Sequence, residues 1–545
     1  MTLSKFEPSF YTKILGAAVL LMLVAAPLCA QSSGPAPFKD FQGYVAWMQA
    51  THKAPFSRSA VMPAGGAKTL LAGQAKANAA AAQNGTPNPQ HYRNIKVNQD
   101  RNPWPKVLIA SAVDASDPAA WLVMTLDYRV NFPRMFYHVS TNEGRGWTDD
   151  MLVEGADPNI GSIPLTYQMY PGLSFDDAGN NYLSTLSGNT IVDFTNNYLN
   201  LDTEIDLVQG YSDGTYSALI PTVIDSQPCS GPISGPFVCN ATVNEPLNTT
   251  DSNPYSPNAG TNYVYYFLFC NLPSGSCTDG NASVPAGGTA VLESHSAAPA
   301  AGEPYSTPAL VSGSLTNTMF ADMVVDPAGT PHIFFDDFTN APVINVWEST
   351  LSGGAWTVSN SPVWSFVYNG LGNANWAFPS AGAEAPGCGI YGVTAYCAFS
   401  ANQVNGGAVE VTPSVYLASL NVDTGAASIA RVNNDPFNDA KQHFYAWATA
   451  TPYGAVYVGW FDDRNDPTNN NVQYFVGKSV DGGKTFHLQE PVNDVPFNPC
   501  VGFPGCEYFG EYNQLASGRD GIVHAAWPDT RDGVSMQIWS QAVPF

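Results

Sequence analysis

Three acid–arginine pairs stand two residues apart at the ends of apolar runs: Asp127-Tyr-Arg129, Asp462-Asp-Arg464 and Asp529-Thr-Arg531. Asp336-Asp-Phe338 repeats the pattern without the arginine. Paired carboxylates are the usual apparatus of glycoside cleavage, one as proton donor and the other as base or nucleophile. Forked guanidinium groups, if gathered in one place, hold and orient a carboxylate ligand. Asp127, Arg129, Asp462, Arg464, Asp529 and Arg531 therefore form a candidate catalytic set. Glu511, between Gly510 and Tyr512 ahead of the last apolar run, joins it as a further carboxylate. The plain alternative is that each acid binds its own arginine and staples a hairpin, because repetition along a chain is what a structural device produces.

Other chemistry is less well served. The loop Asp462-Asp-Arg-Asn-Asp466, followed by Asn469 to Asn471, carries the hard oxygen ligands that Ca²⁺ takes, without the spacing of an EF-hand, so calcium is a candidate cofactor there. The eight histidines are scattered, and His138, His332 and His524 sit in strand-like runs where packing is the expected role. No Gly-x-Ser-x-Gly elbow or phosphate-binding glycine loop is present.

These residues need elements to position them, and composition indicates which kind. Charged residues are 12% of the 545, aromatics another 12%, and there are 48 Gly and 43 Pro. That mixture argues against helix bundles and for many short strands joined by turns. The net charge of −24 would repel nucleic acid and anionic lipid, which excludes both as partners.

The chain opens with Lys5 and Lys13 ahead of the apolar run Ile14 to Ala26, the pattern of a secretory signal cut after Ala30. A lipid anchor at Cys29 is disfavoured by Leu28, where a small residue is expected. No later segment is long and apolar enough to span a bilayer, so a secreted or periplasmic monomer is expected. The remaining eight cysteines fall as neighbours, Cys229/Cys239, Cys270/Cys277, Cys388/Cys397 and Cys500/Cys506. An oxidising compartment would close each pair, and the absence of Cys-x-x-Cys disfavours zinc.

Residues 31–90 read as an irregular Ala/Gly-rich segment with one short helix over Phe38 to Lys53, and residues 91–545 as the main domain. In that domain a turn recurs: Ser479, Asp481, Gly483 and Phe486 match Ser140, Asn142, Gly144 and Trp147, with a weaker copy at Ser349, Leu351, Gly353 and Trp356. The acid or amide can bond the turn's own amides and glycine accepts the positive φ. Repeats with about four strands each are the sign of a β-propeller, whose closure leaves no exposed sheet edge. Units beginning near residues 106, 168, 262, 320, 385, 444 and 510 predict seven four-stranded antiparallel blades, with six as the alternative. The last unit is one strand short, and Asn94-Ile-Lys-Val-Asn98 is expected to supply that strand and close the ring.

The recurring turns, the Asp-x-Arg strand ends and the Phe509-Gly-Glu-Tyr512 lead-in resemble the Asp-box, or BNR, repeats of the sialidase-like β-propellers over most of residues 91–545. The resemblance implies ligand binding on the face that carries the Asp-x-Arg ends, opposite the Asp-box turns. It also implies a tyrosine nucleophile and three arginines for a sialidase. Here the family's Arg-Ile-Pro is missing, and none of the ten arginines lies between Arg145 and Arg431, which argues against true sialidase activity. The expectation is an exported propeller that recognises an extracellular glycan at its axial pocket, with glycoside hydrolysis as the activity its relatives imply. A non-catalytic protein-interaction scaffold is the competing class.

Overall fold

The structure, a computed structural model, describes residues 94–130, 133–152, 167–193, 198–215, 221–232, 238–369, 387–501, 509–510 and 512–543. The signal sequence, the helix expected over Phe38 to Lys53 and Glu511 lie outside the described residues.

Second strands such as Trp121–Asp127 (WLVMTLD), Val456–Asp462 (VYVGWFD) and Val523–Asp529 (VHAAWPD) are buried at every position. A strand loses its alternation in this way when both sheet faces are covered, here by the neighbouring blades. Fourth strands such as Thr148–Met151 and Ala355–Val358 return to an alternating, partly exposed pattern because they form the outer rim.

The sheets form a seven-bladed β-propeller of four-stranded antiparallel blades. First strands, taken blade by blade, are Lys106–Val113, Tyr167–Phe175, Ala241–Thr250, Thr318–Val325, Cys388–Tyr391, His443–Ala450 and Leu515–Ser517. The expected third unit is corrected: it starts at Ala241, and Asn262–Cys270 is its second strand. The sequence ATVNEPLNTT reads as a turn because a bulge lets it carry Glu and Pro inside a buried strand.

That bulge recurs in the first strand of five blades. The register slips between Val107 and Ile109, Met169 and Gly172, Asn244 and Leu247, Met319 and Ala321, and Phe444 and Trp447. In each slip one residue takes a left-handed backbone: Leu108, Tyr170, Glu245, Phe320 and Tyr445, with φ between +49° and +55°. Such a conformation costs about 1–2 kcal/mol for a residue with a Cβ, so the ring geometry must impose it. In blade 7 Gly510, at φ +95°, precedes Tyr512 as Tyr445 precedes Trp447.

Closure falls where expected. Ile95–Lys96 pairs antiparallel with Ser540 and Trp539 as the fourth strand of blade 7. Buried Asn98 reinforces it: its amide donates to Gln537 Oε1 (2.8 Å), and its oxygen accepts from the Ile538 N–H (2.9 Å). Disulfides join Cys270 to Cys277 and Cys388 to Cys397. Cys229 and Cys239 face each other in strand register, and Cys500 is disulfide-bonded, while Cys506 lies outside the described residues.

Asn98→Ala strips partners from two buried groups and should cost about 2 kcal/mol. The midpoint of urea unfolding, with the m-value unchanged, reads this out; an unmoved midpoint would mean that the closing strand does not depend on Asn98.

Candidate functional site

Each Asp-x-Arg motif is built the same way. The acid ends the second strand and accepts the backbone N–H two residues on: Asp127 from Arg129 (2.7 Å), Asp462 from Arg464 (2.8 Å) and Asp529 from Arg531 (2.7 Å). The guanidinium then returns to the carboxylate, at 2.7 Å, 2.6 Å and 2.6 Å respectively. In two blades a tryptophan donates to the same acid, Trp460 to Asp462 and Trp527 to Asp529, which explains the repeated Trp-x-Asp. Blade 4 corrects the sequence alignment: by strand register Asp337, opposite Thr318, is the equivalent acid. Thr339 takes the arginine's place and donates both its N–H and its hydroxyl to Asp337.

The arginines lean outward. Arg129 stacks over Phe136 at 4.0 Å, Arg464 over Phe475 at 4.6 Å and Arg531 over Trp539 at 4.1 Å, all on third strands. Two strand spacings put these groups roughly 10 Å from the first strands. Each also reaches an acid in the chain just past the preceding blade's fourth strand: Arg129 to Asp100, Arg464 to Asp435 and Arg531 to Asp494. His443 bonds into the blade 6 cluster, 3.1 Å from Asp435 and 3.4 Å from Asp462. The six residues are thus ion-paired within and between blades, in the stapling arrangement that the sequence offered as the plain alternative. Asp127, Asp462 and Asp529 are fully buried and neutralised where they stand.

The presumed calcium loop has a protein cation in it. The Lys441 ammonium bonds the Asp466 carbonyl (2.6 Å) and Asn469 Oδ1 (2.5 Å), while the Asp466 carboxylate accepts N–H groups of Thr468, Asn470 and Asn471. No group of three metal-ligating side chains occurs among the described residues.

A cavity of about 880 Å³ occupies the axis, lined by the C-terminal halves of first strands from all seven blades. It opens where strands one and two connect. That is the face of the Ser140 and Ser479 turns, whose hydroxyls accept from Gly144 and Gly483 (2.8 and 2.9 Å), and it is opposite the Asp-x-Arg face. The third expected copy differs: Gly353 and Gly354, both at positive φ, make the turn, and the Ser349 hydroxyl is not used. The cavity wall is rich in hydroxyls and amides, among them Ser174, Asn248, Thr249, Thr250, Thr449 and Gln514. Tyr255 and Tyr391 stand at the rim with 93% and 44% of their surface exposed. Of the lining acids, Asp251 accepts from Ser256 and Asn253, and Asp326 from Thr330. Arg519 donates from blade 7 to the Ser252 carbonyl of blade 3 across the mouth (3.0 Å).

Beyond the cavity, the Tyr512 hydroxyl donates to Glu245 Oε2 at 2.7 Å, again linking blades 7 and 3. Sequence reasoning singled out Glu511 here, whereas the acid that reaches Tyr512 is Glu245, 267 residues away. The only sequence signal for it was a Glu-Pro inside an otherwise strand-like stretch.

Asp336 is a different anomaly. Its equivalents are Leu126, Phe461 and Pro528, yet it is a buried carboxyl whose Oδ1 has no hydrogen-bond partner. Burial, and then Asp337, push it well above the usual carboxylate range.

No protein-family model matches the chain, and no curated protein matches it. Among solved structures it is similar to the Hadza microbial sialidase Hz136, at 12% identity and TM-score 0.40 over 76% of this chain and 74% of that one. It is similar also to the GH93 α-L-arabinofuranosidase of Fusarium graminearum, at 9% identity and TM-score 0.38 over 83% and 98%. The NanB sialidase from Streptococcus pneumoniae aligns at 10% identity and TM-score 0.37 over 83% and 70%.

Two outcomes follow from the buried acids. Arg531→Ala leaves Asp529 buried and uncompensated, and should cost about 3–5 kcal/mol in denaturant unfolding, part of it regained in the Arg531→Ala, Asp529→Asn pair. A loss under 1 kcal/mol would refute the staple. Asp336, raised in the folded state, makes stability fall as pH climbs above the unfolded carboxyl's range near 4. Asp336→Asn should therefore melt higher than the parent at pH 8, with the gap closing toward pH 3; a gap independent of pH would contradict this.

Proposed function

We propose that this chain is an exported propeller that binds a neutral glycan in its axial cavity, with residues 1–30 as the leader and 31–90 as a segment ahead of the propeller domain. The observation that carries the reading is the cavity itself: seven blades converge on one hydroxyl- and amide-lined space with exposed tyrosine rings at its rim. Sugars combine hydroxyls with weakly polar ring faces, and such a wall meets the first while aromatic rings meet the second. The lining carboxylates already hold hydrogen bonds, and among the described residues Arg519 is the sole basic side chain in the wall, a poor match to a sialic acid carboxylate that several arginines would normally hold. The disulfides Cys270–Cys277 and Cys388–Cys397 agree with an oxidising compartment.

The closed Asp-x-Arg staples favour a second reading in one respect: Asp127, Arg129, Asp462, Arg464, Asp529 and Arg531 act in the scaffold, so any hydrolysis must be assigned elsewhere. That reading is a non-catalytic protein-interaction or scaffold propeller.

Calorimetric titration with lactose, cellobiose, arabinobiose and 3′-sialyllactose tests the proposal, with product analysis of each mixture. A neutral sugar should bind, sialyllactose should gain nothing from its acid, and Tyr255→Ala with Tyr391→Ala should weaken binding roughly tenfold. No heat with any probe would move the protein to the scaffold class.

A further inference from the structure

Within the repeated first strands, the residue two places after the left-handed bulge is a comparable position in six blades: Ala110, Gly172, Leu247, Asp322, Trp447 and Tyr512. Five need no charge there, so the fold does not demand a carboxylate, and a buried one costs free energy unless something uses it. Asp322 is 6% exposed and forms part of the cavity wall.

Its bonding is nearly complete. Oδ1 accepts the Met323 N–H (2.8 Å) and the Tyr265 hydroxyl (2.7 Å), and Oδ2 accepts the Cys388 N–H (2.7 Å). Tyr265 belongs to blade 3 and Cys388 to blade 5, so the carboxylate is fixed from both sides. A carboxylate has about four acceptor positions, and these donors take three of them. The position left over is on Oδ2, on a group that walls the cavity.

Resting on the glycan reading above, we propose that Asp322 anchors the ligand by accepting a hydrogen bond from a sugar hydroxyl at Oδ2, which makes it a specificity-determining residue for a polyol. A charged acceptor held in a dry, fixed frame discriminates strongly for a donor and rejects a ligand that lacks one. The neighbours fit this role. Tyr265 itself stays protonated, raised well above its ordinary value by burial and by Asp322. Trp447 and Thr449 of blade 6 are neutral, and among the described residues Asp251, Asp326 and Arg519 are the other charged groups of the wall. Burial raises Asp322 to about 6, against the pull of the Cys388 amide, the Tyr265 hydroxyl and the Met323 amide. Anchoring by the ionised form is therefore complete above pH 7 and fades below pH 6.

The test uses the tightest of lactose, cellobiose and arabinobiose, titrated from pH 4.5 to 8. The parent affinity should be flat above pH 7 and fall by about tenfold in all as pH drops through 6 toward 4.5. Asp322→Asn should lose roughly tenfold at pH 7.5 and flatten the profile. Tyr265→Phe, which removes a donor that holds Asp322 down, should move the midpoint upward while binding survives at pH 8; a purely structural Asp322 would not shift it. Binding that Asp322→Asn retains at every pH overturns this assignment and leaves the glycan reading intact. Failure of the parent protein to bind any of the three sugars overturns both.

Discussion

Everything in this ring depends on one seam. Six blades are made of consecutive strands, but blade 7 takes Ile95–Lys96 from the other end of the chain, and only two residue pairs join it to the last strand. So short a ladder is weak by itself, and losing it would expose the edge of the strand Gln537–Val543. The surrounding side chains make up the deficit. Asn98 feeds the ladder's end, and Asn94 bonds Val492 and Asp494 of blade 6 together with Arg531 of blade 7. The closing strand is therefore held by three partners around one point.

The Asp-x-Arg staples apply the same logic at other seams. Consecutive blades touch through apolar faces, which fix spacing but not register. An arginine that binds its own blade's acid, lies on its own third-strand aromatic and also reaches the chain leaving the preceding blade fixes the two blades together. Burial of Asp529 favours its neutral form, and Arg531 and its hydrogen bonds oppose that. Removing one member of such a group is therefore more damaging than its net contribution suggests.

The architecture was legible because it is periodic. Strand ends marked by Asp-x-Arg, and turns marked by Ser-x-Asp-x-Gly, recur often enough to set blade number and even the closing strand. The third blade was misplaced because Asn244, Glu245 and Pro246 look like a turn, and the bulge that makes them a strand leaves no spacing signal. The candidate site was far less legible. The eye goes to repeated charge, and repeated charge turned out to be stapling. Asp322 sits in TMFADMVV with nothing to distinguish it, since its partners Tyr265 and Cys388 are 57 and 66 residues away.

Internal repetition supplies its own control, which a single sequence otherwise lacks. Where several blades place an acid and an arginine in one register, the shared feature belongs to the fold. Where one blade places a carboxyl at a position its sisters fill with Leu, Phe, Pro, Gly or Trp, as with Asp322 and Asp336, the fold cannot be the reason. The two departures differ in kind: Asp322 is wrapped by donors from two other blades, whereas Asp336 has an oxygen bonded to nothing. A carboxylate supplied with directed donors is prepared to carry charge, and one left without them is held neutral.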